Sequence, residues 1–166
     1  MRGKIKTASA VFMAALFAVA VSGCSDNGGG SAPSESGKAA TVATGTAGQL
    51  GTILTNGEGR TLYLFEADKS TKSTCSGDCA KAWPPMVTAG APAAGSGVKK
   101  SLLGTTTRSN GDKQATYNGH PLYFFEGDQS SGDVNGQGLN QFGAKWYVLD
   151  ASGNKITKKA DGGGGY

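Results

Sequence analysis

The chain has 166 residues, 37% of them hydrophobic, which suits one domain of ordinary size. Its formal net charge of +4 comes from 16 basic and 12 acidic residues, but three of the basic residues lie within the first six positions. The remainder therefore has a net charge of +1, and it contains no cluster of Lys or Arg interleaved with aromatic residues. These features exclude a strongly basic nucleic-acid-binding protein, and no nucleic-acid partner is expected.

The chain begins with the pattern of a secretory signal. Three basic residues precede an uncharged apolar run over residues 8–21, which is too short to span a bilayer as a helix. The run ends in Val-Ser-Gly-Cys at 21–24, a lipobox-like sequence. We predict that residues 1–23 are a lipoprotein signal peptide and that Cys24 is lipidated, with diacylglycerol and palmitate. The predicted location is the extracytoplasmic face of the cell membrane, with the lipid as anchor.

Residues 24–47 follow the signal and are rich in Gly, Ser, Ala and Thr, with almost no large apolar side chain. Such a segment buries too little surface to offset the entropy of ordering it, so we predict a disordered tether. Residues 48–159 contain both Trp residues and most of the aromatic residues, and they are predicted to form the folded domain. The Gly-rich end, residues 160–166, is predicted to be a disordered tail.

The predicted domain contains two copies of one unit. Residues 61–68 (TLYLFEAD) match residues 121–128 (PLYFFEGD) at an offset of 60 positions. An Asn-Gly pair precedes each copy, and a polar stretch leading to a Trp follows each, Trp83 in the first and Trp146 in the second. We place the two repeats at about residues 50–87 and 105–150.

The local patterns of both repeats favour β structure. The Asn-Gly pairs at 56–57 and 118–119 and the Ser-Asn-Gly-Asp sequence at 109–112 predict tight turns between strands. Helical patterns are limited to single turns at 78–83, stopped by two prolines, and at 139–142. The predicted fold is all-β and mostly antiparallel, a small barrel or sandwich with internal pseudo-twofold symmetry and one or two short helical turns.

Each repeat carries the motif Tyr-x-Phe-x-x-Asp. On a strand, Tyr63 and Phe65 point to one face while Leu62 and Leu64 point to the other, so both faces of this strand should be buried. Asp68 falls at the end of the strand, where its carboxylate can accept hydrogen bonds from the N–H groups of the following turn. The corresponding motif residues of the second repeat are Tyr123, Phe125 and Asp128.

Acidic residues accompany both motifs, which leaves a second interpretation open. If the pseudo-symmetry brought Glu66 and Asp68 close to Glu126 and Asp128, the carboxylates would bind a hard cation or share a proton. The structural interpretation, core aromatics with turn-capping aspartates, is the simpler one. We therefore predict no metal site, and these four residues remain candidates only.

The doubled motif resembles a family of predicted bacterial lipoproteins described as a secreted repeat of unknown function. The segments Cys75–Pro85, which follows the first motif, and Asn118–Tyr123, which begins the second, also resemble it. The resemblance covers about residues 50–150. It implies a secreted location and a repeat architecture, and it implies no catalytic residues.

The remaining cysteines, Cys75 and Cys79, are an even pair in an oxidising compartment, so we predict that they form a structural disulfide. Their spacing leaves the Cβ atoms too far apart in a regular helix, but Gly77 allows a tighter loop. A redox-active dithiol and metal ligation by the thiolates are the alternatives. Attachment of c-type haem requires a His after the second cysteine, where this chain has Ala80.

His120 is the single histidine of the chain, and it aligns with Arg60 of the first repeat. A copper site that combines His120 with Met86 and a cysteine is one hypothesis, and a turn-flanking imidazole is the other. Residues 133–138 (DVNGQG) resemble the start of a calcium loop, but position twelve of that loop is Ala144 rather than Glu. A polar turn is the preferred interpretation of this segment.

We found no nucleophile motif, phosphate loop or dinucleotide fingerprint, so the sequence predicts a protein that is not an enzyme. The leading hypothesis is a lipid-anchored extracytoplasmic binding or accessory module without a cofactor. Its partner would be an envelope protein or a small ligand. The alternative is a lipoprotein that handles copper or iron or transfers electrons, and a purely structural envelope protein is the third hypothesis.

Overall fold

A computed structural model describes residues 37–160 of the chain. The predicted signal peptide, Cys24, most of the predicted tether and residues 161–166 lie outside the described part. Within residues 37–160, no helix is long and apolar enough to cross a membrane.

The first strand, β1 (Thr41–Ala47), turns through a short 3-10 helix into β2 (Gly51–Asn56), and the two strands pair antiparallel. The prediction of a tether up to residue 47 was therefore wrong at its C-terminal end. The short side chains of β1 give little local sign of a strand, but Val42 and Ala47 are buried once β1 pairs with β2. The two-residue strand β4 (Ala93–Ala94) pairs parallel to β1 on its other edge.

The first motif forms β3 (Tyr63–Phe65), which pairs antiparallel with β9 (Ala144–Val148) of the second repeat. β9 pairs in turn with β8 (Asn140–Gln141). The helical turn predicted at 139–142 was wrong, because Phe142 and Gly143 take φ values of 56° and 89° and close a tight β8–β9 turn.

The third sheet consists of β5 (Leu103–Thr107), β6 (Lys113–Tyr117) and β7 (His120–Pro121). Its two predicted turns are confirmed. In the second, Asn118 and Gly119 have φ values of 48° and 80°, as a type I′ turn requires. Asn56 acts differently in the first repeat, because its side-chain oxygen accepts the N–H groups of residues 58 and 60.

The helical turn predicted at 78–83 is confirmed as α1 (Asp78–Ala82). The described residues thus form three small, mainly antiparallel sheets with one short α-helix, and the sheets do not close into a barrel. The all-β prediction is confirmed, whereas the barrel alternative is not.

Two hydrophobic clusters lie on opposite sides of the motif strands, as their alternation predicted. Tyr63 and Phe65 belong to an aromatic cluster, while Leu62 and Leu64 belong to an aliphatic one. The buried members of the aromatic cluster are Ala47, Leu50, Ile53, Tyr63, Phe65, Cys75, Cys79, Trp83, Tyr123, Trp146 and Val148. Those of the aliphatic cluster are Val42, Leu54, Leu62, Leu64, Met86, Ala115, Tyr117, Leu122, Tyr147 and Leu149.

Candidate functional site

The two motifs meet at the centre of the domain. The N–H of Tyr63 donates to the carbonyl of Tyr123 at 2.8 Å, and the N–H of Tyr123 donates to the carbonyl of Tyr63 at 3.0 Å. The two tyrosines thus form an antiparallel bridge. This reciprocal bridge joins equivalent residues of the two repeats, as a pseudo-twofold axis through it requires.

Each motif tyrosine binds the aspartate of the other repeat. The hydroxyl of Tyr63 donates to Asp128 Oδ2 at 2.7 Å, and the hydroxyl of Tyr123 donates to Asp68 Oδ2 at 2.6 Å. Both aspartates also cap the following turn as expected, since Asp68 Oδ1 accepts the N–H of Thr74 and Asp128 Oδ1 accepts that of residue 135. The tyrosines and aspartates of the two motifs therefore form a pair of crossed hydrogen bonds that joins the repeats.

Burial shifts the pKa values of the groups that form these hydrogen bonds. It raises the pKa of Asp128 from 3.8 to about 6, although the hydrogen bond from Tyr63 and the charge of Arg60 act in the opposite direction. The pKa values of Tyr63 and Tyr123 are both raised, chiefly by burial and also by the aspartate that each one binds. Both phenols therefore stay protonated and remain donors at physiological pH.

The aromatic residues of the two repeats form a second crossed contact. Phe65 of the first motif stacks on Trp146 of the second repeat, with ring centroids 4.1 Å apart. Trp146 stacks on Trp83 at 3.9 Å, and Trp83 packs against Phe125 of the second motif at 4.4 Å. The result is a column of four rings in which each motif phenylalanine contacts the tryptophan of the other repeat. The sequence identified the four residues but not this order.

The predicted Cys75–Cys79 disulfide is present. Arg108 holds its loop, because the guanidinium donates to the carbonyl of Cys75 at 2.6 Å and to Ser73 Oγ at 2.7 Å. Ser73 also hydrogen bonds to the hydroxyl of Tyr123 at 2.7 Å, so the loop is connected to the crossed motif. Sequence analysis missed Arg108 and Ser73, since neither belongs to a recognisable motif.

The pseudo-symmetry creates two equivalent niches beside the motif aspartates, and Arg60 fills one of them. Its guanidinium donates to the carbonyl of Phe125 at 3.1 Å and lies over the ring of Phe124, 4.6 Å from the centroid. The positive charge of Arg60 also favours the ionised form of the nearby Asp128. We call this pocket the Arg60 niche.

His120 occupies the equivalent position in the other niche, and its shorter side chain leaves a cleft of about 460 Å³. Leu64, Phe65 and Asp68 supply buried parts of the lining. The other residues around the cleft are polar or charged: Glu66, Lys69, His120, Asn154 and Lys155. We call this pocket the His120 cleft.

The imidazole of His120 is half-buried, and burial lowers its pKa below the usual 6.5, although the charge of Asp68 acts in the opposite direction. His120 is therefore mostly neutral at pH 7. Of the two lysines at the cleft, Lys155 forms an ion pair with Glu66, whereas Lys69 is exposed. The cleft thus combines a neutral ring, a buried carboxylate, an ion pair and one exposed lysine.

Three of the metal candidates, Glu66, Asp68 and His120, line the same cleft, but they are not arranged as a metal site. Across residues 37–160, no group of three or more His, Cys, Asp or Glu side chains could hold a metal ion. Cys75 and Cys79 are bonded to each other, so the hypothesis of a copper site with a free thiolate is not supported. In the calcium-loop candidate, Asp133 instead caps a turn, with its carboxylate accepting the N–H groups of residues 129 and 130.

The family described as a secreted repeat of unknown function matches residues 45–87 and 104–150, which is more than half of the chain. The chain belongs to this family. The two matches coincide with the two repeats predicted from the motif, and the secreted-repeat family supports an extracytoplasmic location. No curated protein and no solved structure matches the chain.

Proposed function

We propose that this secreted-repeat protein is a lipid-anchored accessory module that binds a ligand at the extracytoplasmic face of the cell membrane without catalysing a reaction. The lipobox-like sequence ending at Cys24 supports the anchor. Membership of the secreted-repeat family supports the extracytoplasmic location.

The observation that carries the binding role is the difference between the two niches. The motif tyrosines and aspartates are buried and bind one another, so they serve the scaffold. The Arg60 niche is filled by the chain itself. The His120 cleft is open, and its volume lies within the range of small-ligand pockets. An open cleft on a scaffold joined by buried hydrogen bonds fits a binding module.

The anchor is tested by Cys24→Ser. We expect the variant to lose its lipid, and therefore to leave the membrane fraction or to accumulate unprocessed, because acylation needs the thiol. Fractionation and mass spectrometry of the intact protein measure both outcomes. Ser22→Ala, which retains the cysteine and a small neighbour, is the matched control. Full membrane retention of a processed Cys24→Ser chain would contradict lipid anchoring.

The binding role is tested through His120, because a single histidine gives a single imidazole signal in NMR spectra of the untagged protein. We expect at least one small-molecule fraction from the cell envelope to shift this signal saturably. Asn154→Trp, which places a large side chain at the cleft, should abolish the shift. If no fraction moves the signal, the binding role is wrong.

A further inference from the structure

We propose that the His120 cleft is a receptor for a guanidinium cation. This inference rests on the proposed binding function and adds the chemical class of the ligand to it. The structural precedent lies in the first repeat, where the guanidinium of Arg60 occupies the equivalent niche.

The two niches are equivalent in both sequence and structure. Arg60 and His120 are 60 residues apart, and each precedes its motif tyrosine by three positions. Each basic side chain also lies within the electrostatic reach of the aspartate at the end of the opposite motif, Arg60 with Asp128 and His120 with Asp68. The two side chains therefore face corresponding parts of the scaffold.

The Arg60 niche shows what such a site offers to a guanidinium. A main-chain carbonyl accepts an N–H, a flat apolar surface lies against the plane of the cation, and a buried carboxylate provides a negative field. These are the features that suit a planar, weakly hydrated cation with several donors.

The His120 cleft repeats most of these features but lacks the cation. Phe65 and Asp68 correspond to Phe125 and Asp128, and both line the cleft. Leu64 replaces Phe124, which removes the aromatic face, but the neutral imidazole of His120 provides another flat surface. Asp68 accepts hydrogen bonds from Thr74 and Tyr123, but the neutral imidazole of His120 places no cation beside it as Arg60 does beside Asp128.

The positive charges of the two lysines at the cleft do not prevent a cation from binding there. The Nζ of Lys155 binds Glu66, and Lys69 is exposed to solvent, where its charge is screened. The cleft between them is lined by Phe65 and Asp68, which would lie beside a bound guanidinium. The source of this group is either a small molecule or an arginine side chain of a partner protein, and both share the same chemistry.

The test is an NMR titration of the full-length protein, untagged and in mild detergent, with methylguanidinium chloride. We expect saturable shifts of the His120 imidazole and of the Leu64 amide. Methylammonium chloride at equal ionic strength should bind about tenfold more weakly, since it lacks the planar fork of donors. Absence of saturable shifts, or equal binding of the two cations, would overturn the proposal.

Two variants at the equivalent positions sharpen the test. His120→Arg should supply the cation from within the chain, so it should raise the melting temperature and abolish the methylguanidinium shift at Leu64. Arg60→His should open the first niche and produce a new shift at Phe124. A His120→Arg variant that binds methylguanidinium as the native chain does would refute the assignment to this cleft.

A further arm identifies the source of the guanidinium. If the tripeptide Gly-Arg-Gly binds about tenfold more tightly than methylguanidinium, the ligand is an arginine of a partner protein, and equal affinities favour a small molecule. If neither binds while an envelope fraction still shifts His120, the guanidinium proposal falls and the binding function stands. If nothing shifts His120, both fall.

Discussion

The crossed hydrogen bonds between the repeats can be measured through Tyr63→Phe. The variant removes the donor to Asp128 at 2.7 Å and the acceptor of the Gly136 N–H at 3.3 Å, while the ring stays in place. A hydrogen bond to a charged group contributes about 1.5–3 kcal/mol, and here both partners are left buried. We therefore expect the free energy of unfolding at pH 7.5 to fall by about 2–3 kcal/mol.

A double-mutant cycle shows which aspartate receives this bond. Tyr63→Phe combined with Asp128→Asn should give a coupling energy of about 1–3 kcal/mol, because the two side chains bind each other. Tyr63→Phe combined with Asp68→Asn is the matched control within one repeat, and its effects should add to within about 0.5 kcal/mol. Urea denaturation followed by tryptophan fluorescence provides the four free energies of each cycle.

The comparison of the two cycles can refute our assignment. If the coupling within a repeat equals or exceeds that between repeats, the tyrosines do not bind across the pseudo-twofold axis. A Tyr63→Phe variant as stable as the native chain would contradict a buried, charge-assisted bond.

Two further predictions concern buried residues. Because the folded-state pKa of Asp128, about 6, lies above its usual value of 3.8, the folded protein holds this proton more tightly, and its free energy of unfolding should fall by about 2 kcal/mol between pH 4 and pH 6. Asp128→Asn should remove this pH dependence of the free energy of unfolding, measured from denaturation curves. Parallel pH profiles of the variant and the native chain would contradict the raised pKa of Asp128. Phe65→Ala should lower the free energy of unfolding by about 3–5 kcal/mol, since the ring is 3% exposed and stacks on Trp146. The control Phe142→Ala, at a ring that is 48% exposed, should change stability by less than about 0.5 kcal/mol in the same assay, and equal effects would place both rings in the same environment.

The turns and the buried strand were predictable because they depend on residues that are close together in the sequence. The turns at 109–112 and 118–119 follow from the low cost of positive φ at Asn and Gly, and the burial of both faces of β3 follows from side-chain alternation. The even pair of cysteines in an oxidising compartment predicted the Cys75–Cys79 disulfide. β1 was missed because its stability comes from pairing with β2 rather than from its own composition.

The sequence by itself determined the repeat, the β class and the burial of the motif side chains, because each of these leaves a periodic pattern in the chain. Only the tertiary structure decided which partners those residues take. Tyr63 binds Asp128 rather than Asp68, and Phe65 stacks on Trp146 rather than Trp83. Arg60 fills its niche, whereas His120 leaves the equivalent cleft open. The reason is that contacts between residues some 60 positions apart depend on how the two repeats dock, and the motif is the same whether it pairs within a repeat or across the axis.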